Sequence, residues 1–358
     1  IYNGNAWVNE GVLHESEVRT NLVIPSLPTV ASWGTSAPTI TENAATSPDG
    51  STNATRATGS GSNSAQYISE NALQTTGIVH TCSVYFKTET AAFLQFVTSK
   101  PANSYVNVNA STLVLGTVGA GASNAIVTDV GNGWARLSFS YTPDNSNNVV
   151  TAGIITSATA SRLESNPLST SALFYGYQSE AGSTPSSYIP TLGSAATRAA
   201  ETLTVPAANL PYSSTNMSIQ IDGKITYADT SNNFQMMWWE WKLSSSDNMK
   251  IHLSTSGGST GLPTFTQKRS VTDNPIGVPN NVYSPGIDVP FNLASRHGST
   301  FINGATEGTS YTVNTTPTSL PNLSATDLTL GTIFMGTIGK FRMWSEDLTD
   351  TGIEEAST

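Results

Sequence analysis

The chain has 358 residues, of which 37% are hydrophobic and 11% charged, with a formal net charge of −10. It contains no run of apolar residues long enough to span a bilayer and no Lys/Arg cluster, so neither membrane insertion nor a phosphate-tracking nucleic-acid surface is expected. Its one cysteine, Cys82, rules out an intrachain disulfide.

The length predicts two domains, with three as the upper bound. Ser, Thr, Asn and Gly are abundant and helix-forming Lys, Glu and Leu are sparse, which predicts many short strands joined by polar turns. The chain opens at Ile1 rather than Met, the start expected of a piece excised from a longer polypeptide, and no signal-peptide pattern is read there.

Residues 1–20 read as a lead-in, with a turn at Tyr2-Asn3-Gly4 and at most a short strand at Val12-Leu13. Residues 21–202 read as one antiparallel sandwich or jelly roll. Ser47-Pro48-Asp49-Gly50-Ser51 is a strong turn, because Pro sets φ and Asp-Gly tolerates a tight bend. Cys82, Val84 and Phe86 alternate with Ser83, Tyr85 and Lys87, which predicts one core face and one outer face, with a buried thiol. Asp129-Val130-Gly131-Asn132-Gly133-Trp134 predicts a hairpin, followed by a strand with Leu137, Phe139 and Tyr141 inward and Trp134 and Arg136 outward. Residues 173–180 close the set: Leu173, Tyr175 and Tyr177 are expected in the core, with Phe174 also turned inward.

Residues 203–212 carry two prolines and read as a connector. Residues 213–358 then read as a second sandwich, with strands over 217–221, 234–243, 249–253, 291–297, 301–303 and 337–344. Asn303-Gly304 is a hairpin signal, and residues 350–356 suit a single helical turn. The fold class expected is all-β, two antiparallel β-sandwiches (jelly rolls) in series.

Several short motifs follow one another along the chain: Arg19-Thr20-Asn21-Leu22, Ser47-Pro48-Asp49-Gly50, Ser83-Val84-Tyr85-Phe86-Lys87, Gly131-Asn132-Gly133-Trp134-Ala135-Arg136, Tyr175-Gly176-Tyr177-Gln178-Ser179-Glu180, Ser187-Tyr188-Ile189-Pro190-Thr191 and Thr197-Arg198. By these, the first part resembles a module of bacteriophage tail-fibre and other virion-surface proteins, similar to jelly-roll carbohydrate-binding modules. The motifs Phe291-Asn292-Leu293-Ala294-Ser295-Arg296-His297-Gly298-Ser299, Phe301-Ile302-Asn303-Gly304 and Gly336-Thr337-Ile338-Gly339-Lys340-Phe341-Arg342-Met343-Trp344 resemble the concanavalin-like or laminin-G-like sandwich appended to such proteins. The resemblance implies a fibre or spike on the surface of a virion or gene-transfer agent, on a tail or a head. It also implies a homo-oligomer, most often a trimer, and as partners a host surface glycan and other virion proteins.

Sugars offer C–H faces to aromatic rings and hydroxyls to planar polar groups, so a sugar site needs an exposed aromatic beside Gln, Asn, Arg or Glu. In the first sandwich this predicts convergence of Tyr85, Lys87, Arg136 and Gln178 on an outer sheet face; the alternative is a solvated or subunit-covered face. In the second, residues 234–243 put Met237, Trp239, Trp241 and Leu243 on one apolar face and Met236, Trp238, Glu240 and Lys242 on the other. Trp238 with Glu240, joined by Arg296 from a neighbouring strand, is the second candidate; the alternative is core or subunit interface for every Trp.

Enzymatic readings have less support. A retaining glycosidase needs two carboxylates about 5 Å apart, and no Glu-x-Asp-x-x-Glu run occurs on a strand. Lys250-Ile251-His252 is similar to the Gln-Ile-His of sandwich-fold polysaccharide lyases, but differs in its first residue and lacks the partner motifs. No nucleophile elbow accompanies Arg296-His297-Gly298-Ser299. The four histidines lack metal spacing, and no phosphate loop opens a helix. No cofactor is required; a structural calcium held by Glu15 or Glu180 would suit a sandwich module. The expected function is non-catalytic adhesion of a virion-surface fibre to host polysaccharide, against a purely structural tail, baseplate or capsid-decorating role and, more remotely, a depolymerase.

Overall fold

The computed structural model describes residues 11–228, 235–255, 260–278 and 282–358. The turn expected at Tyr2-Asn3-Gly4, and Phe234 at the head of an expected strand, lie outside them. The chain is all-β, and its described residues divide into two compact units: one is Val18–Arg198, the other residues 11–17 with Ala199–Thr358. The segment read as a lead-in is therefore partly structural. Val12–Glu15 is an edge strand of the second unit, paired antiparallel with Met335–Trp344, while Arg19–Asn21 pairs with Ala196–Arg198 in the first. The segment read as a connector is also built in: Leu203–Val205 pairs with Leu328–Thr332 and half-buries Leu203 and Val205 against the core.

The first unit is a sandwich of two main antiparallel sheets. One runs in the order Val114–Val118, Tyr105–Asn109, Phe93–Thr98, Asn147–Ile155, Ser64–Leu73, Ser165–Asn166. The other runs Ser123–Gly131, Trp134–Tyr141, His80–Thr88, Ser171–Ala181, Thr52–Thr58, Thr39–Thr46. Between them lie Ile68, Leu94, Phe96, Val106 and Val150 from one side and Val84, Phe86, Leu137, Phe139 and Phe174 from the other. Cys82 is buried here with them, and burial pushes its thiol up to about 12. The two-residue alternation read from the sequence placed Cys82, Val84, Phe86, Leu137, Phe139 and Tyr141 correctly because one face of each strand must leave water. The hairpin at Asn132-Gly133 forms as expected, with both residues at positive φ.

Ser171–Ala181 departs from simple alternation. A bulge at Gly176, with φ of 63°, shifts its pairing with His80–Thr88 between Tyr175 and Gln178. Phe174 and Tyr177, three apart, both enter the main core, while Leu173 and Tyr175 turn to the outer face and form a second cluster with Ala54 and Trp134. A bulge sets two residues opposite one, so the faces exchange beyond it.

The second unit is also a two-sheet sandwich. One sheet runs Val12–Glu15, Met335–Trp344, Asn216–Tyr227, Gly286–Gly298, Ile302–Thr306, Thr309–Ser310. The other runs Leu203–Val205, Leu328–Thr332, Gln235–Ser244, Asp247–Ser254, Leu262–Arg269, Thr272–Gly277. Ile219, Ile221, Phe291 and Leu293 face Trp239, Trp241, Ile251 and Phe265 across the core. Asn303-Gly304 is not a turn: both lie within Ile302–Thr306. Glycine is required there because a Cβ would sit 2.4 Å from the Phe265 ring. The tail is a full helix, Thr349–Ala356, which seats Ile353 against Ala294 and Ala305.

Candidate functional site

The outer face of the first unit brings three of its four expected residues together, and the chain itself covers them. Arg136 lies over the Tyr85 ring, 5.2 Å from its centroid. Its guanidinium Nη2 donates to Ser83 Oγ at 2.8 Å and to the Ser186 carbonyl at 2.7 Å. Gln178 is fully buried; its amide donates to Ser186 Oγ, the Ser187 carbonyl and Glu180, and its Oε1 accepts from the Ile189 amide at 2.7 Å. Tyr188 packs edge-on against Tyr85 and Tyr175. Lys87 is turned away, donating to the Asn132 carbonyl at the hairpin. Gln178 is thus withdrawn as a ligand-binding residue: it holds the segment 183–191 in place.

The same clasp explains why motifs far apart in sequence keep company. Glu180, fully buried, accepts from the Ser186 amide at 2.8 Å, from Ser186 Oγ at 2.7 Å and from Gln178 at 2.7 Å, with Arg19 Nη1 3.9 Å away. Asn21 donates to the carbonyls of Tyr177 and Ile189 and accepts from the amides of Val23 and Ser179. Arg198 donates to Ser187 Oγ. Both Glu180 oxygens are thus engaged by hydrogen-bond donors of the chain itself. Glu15 is buried, and its backbone amide donates to Glu201. Among the described residues no three His, Cys, Asp or Glu side chains converge as metal ligands.

The Trp238 site does not form either. The Gln235–Ser244 strand shifts register against Asp247–Ser254 between Met237 and Trp239, so Trp238 and Trp239 both point inward. Met236, Trp238, Trp239 and Trp241 are buried, whereas Leu243 is 63% exposed and Met237 half-buried. Trp238 packs on Tyr283 and Phe291, with ring centroids 5.6 Å away in each case. Glu240 does point outward, 3.7 Å from Lys242. Arg296 sits in the opposite sheet, bidentate to Asp347, bonded to Asp350 and stacked on Phe301 at 4.1 Å. Trp238, Glu240 and Arg296 therefore share no surface.

Concavity lies elsewhere, at the flank where the two sheets of the second unit end in the short strands Thr272–Gly277 and Thr309–Ser310. An open cleft of about 880 Å³ runs there. Pro275, Ile276, Val278 and Val282 give it an apolar wall; Thr306, Thr309, Ser310 and Thr312 give it hydroxyls; Glu307 and Tyr311 complete it. Glu307-Gly308 makes a two-residue hairpin turn with φ of 47° and 76°, closing the Thr306–Thr309 pair. Glycine accepts that conformation freely; glutamate does so at a cost. The turn lifts Glu307 onto the rim, where Oε1 accepts from the Tyr283 hydroxyl at 2.9 Å and the Asn292 amide at 2.8 Å. Burial, reinforced by the Glu307 charge, pushes the Tyr283 phenol well above its ordinary range, so it stays a donor. Tyr311 is half-buried, bonded to Thr306 Oγ1 and 6.2 Å from Phe265 by ring centroids. Its phenol is likewise raised, chiefly by burial.

Sequence reasoning missed this cleft because its residues come from two edge strands distant in sequence. A local signal existed: Thr306-Glu307-Gly308-Thr309 is a tight hairpin with glutamate where Asn or Asp is usual.

No protein-family model matches the chain, and no curated protein does. Solved structures give partial likenesses. The NanB sialidase from Streptococcus pneumoniae is 15% identical over 44% of this chain and 26% of its own, with a TM-score of 0.34. The Ruminococcus gnavus IT-sialidase CBM40 bound to alpha2,3 sialyllactose is 12% identical over 40% of this chain and 82% of its own, at 0.32. CG-16, a homodimeric agglutinin from chicken liver, is 10% identical over 40% of this chain and all of its own, at 0.27. The chain spans about a quarter of the sialidase it matches. Likenesses at this level carry no argument about function.

Proposed function

We propose that this protein is a non-catalytic glycan-binding module and that the cleft beside Glu307 and Tyr311 is its binding site. The carrying observation is the lining itself: an apolar wall, a tyrosine, four hydroxyl side chains and one carboxylate around about 880 Å³. That mixture of apolar and hydrogen-bonding surface matches the two kinds of surface a pyranose presents, and the volume lies within the range of small-molecule sites. The described lining holds one carboxylate, whereas glycoside hydrolysis takes a pair. The setting we read for the module, a virion-surface fibre or spike, oligomeric and facing a host polysaccharide, is supported by the sequence motifs alone.

Titration calorimetry against a panel of oligosaccharides, with Tyr311→Ala and Glu307→Ala beside the unaltered chain, tests the reading. Expected is a loss of at least about tenfold in affinity for each variant, with unchanged circular dichroism. Absence of glycan binding by the unaltered chain, or full binding by both variants, overturns it.

A further inference from the structure

The cleft's polar groups are not neutral about ligand charge. Glu307 Oε1 accepts from the Tyr283 hydroxyl and the Asn292 backbone amide, and Oε2 accepts no described hydrogen bond. Ser310, across the hairpin, donates its hydroxyl proton to Glu354 Oε1 at 2.5 Å. Its oxygen therefore offers the cleft lone pairs rather than a proton. A second carboxylate thus stands directly behind the rim. No Lys, Arg or His is in the described lining. The two basic residues of the adjoining Leu262–Arg269 strand lie outside it: Arg269 donates to Ser319 and the Leu320 carbonyl, and Lys268 is paired in register with Asp273.

Resting on the reading of this cleft as a glycan site, we propose that it selects uncharged, hydroxyl-rich glycans and discriminates against sialylated, sulfated or uronate-bearing ones. Sugar hydroxyls are donors and satisfy Glu307 Oε2 and the Ser310 oxygen. An anionic substituent brings only acceptors, and it meets the like charge of Glu307 with no cation in the described lining to offset the repulsion. Recognition of anions ordinarily uses Arg forks or Lys, and the described lining has neither.

The test is a glycan array and calorimetry with matched pairs, each a neutral oligosaccharide and its sialylated or sulfated counterpart. The unaltered chain is compared with Glu307→Gln and Thr312→Lys. Glu307→Gln keeps the acceptor oxygen for Asn292 and Tyr283 while removing the charge. Thr312 is exposed on the rim, so a lysine there adds a cation without disturbing the core. Expected is neutral over anionic by about tenfold or more, narrowed several-fold by Glu307→Gln and narrowed or inverted by Thr312→Lys. Equal or tighter binding of the anionic partners by the unaltered chain overturns the selectivity and leaves the glycan reading standing. A ratio unmoved by both variants does the same. Failure of every glycan to bind removes the glycan reading itself, and the selectivity with it.

Discussion

The Tyr283 hydroxyl donates to Glu307 Oε1 across 2.9 Å, and the buried Trp238 packs edge-on against the same tyrosine. A tryptophan expected at a sugar surface thus acts from behind it, fixing the ring that fixes the carboxylate. Tyr283→Phe removes the donor and keeps the packing. A hydrogen bond of this kind contributes about 1 kcal/mol or more to stability, so the melting temperature should fall by a few degrees, and the unanchored Glu307 should cost glycan affinity several-fold in calorimetry. An unchanged affinity would show that Tyr283 does not position Glu307.

Trp238→Ala should behave as a core truncation. Its side chain is fully buried between Tyr283 and Phe291, and such changes cost about 3–5 kcal/mol. Urea unfolding measures this directly. A loss below about 1 kcal/mol accompanied by abolished glycan binding would return Trp238 to a ligand-facing role.

Glu180→Gln should loosen the segment 183–191. The substitution removes the charge that Arg19 and three donor groups surround. Disrupting a buried ionic group of this kind costs about 3 kcal/mol or more. Hydrogen exchange should accelerate at the Ser186 and Ile189 amides ahead of those in Trp134–Tyr141. Chelation by EDTA should leave the melting temperature of the unaltered chain in place, because Glu180 is engaged by donors; a fall of several degrees would argue for a bound structural cation.

Stability should decline as pH drops below about 6.5. Burial lowers His297 to about 3, and burial with Lys250 nearby lowers His252 to about 4; burial also lowers His80. Each folded-state value lies below the ordinary 6.5, so the unfolded chain binds more protons across the window between them, and acid favours unfolding. Each group contributes up to about 1.4 kcal/mol per pH unit there. Asp49, held far below the carboxylate range, acts in the same direction only under about pH 4. Burial there raises its value, but hydrogen bonds from Ser47, Ser51, Tyr175 and Asn53 outweigh it. Urea midpoints at about pH 7 and about pH 5 should differ, and His297→Gln should flatten the difference. A slope unaffected by that substitution would remove His297 as a cause.

The sequence by itself determined the all-β class, much of the first core and the turn at Asn132-Gly133. Alternation at Cys82, Val84 and Phe86 and the turn chemistry of Asn132-Gly133 are local properties, fixed by strand period and by which residues accept positive φ. Asn21, Gln178, Glu180 and Ser187 lie in three of the motifs read from the sequence, which did not join them and read Gln178 as open to ligand. What those residues touch depended on the return of 183–191 over the sheet, a contact between segments far apart in the chain. The bulges at Gly176 and Trp238 were decided only by tertiary pairing, because a single extra residue exchanges every face beyond it and leaves the composition unchanged. The cleft is the extreme case. Glu307, Tyr311 and Ile276 carry no shared motif, and only the way two sheets end at one flank brings them together.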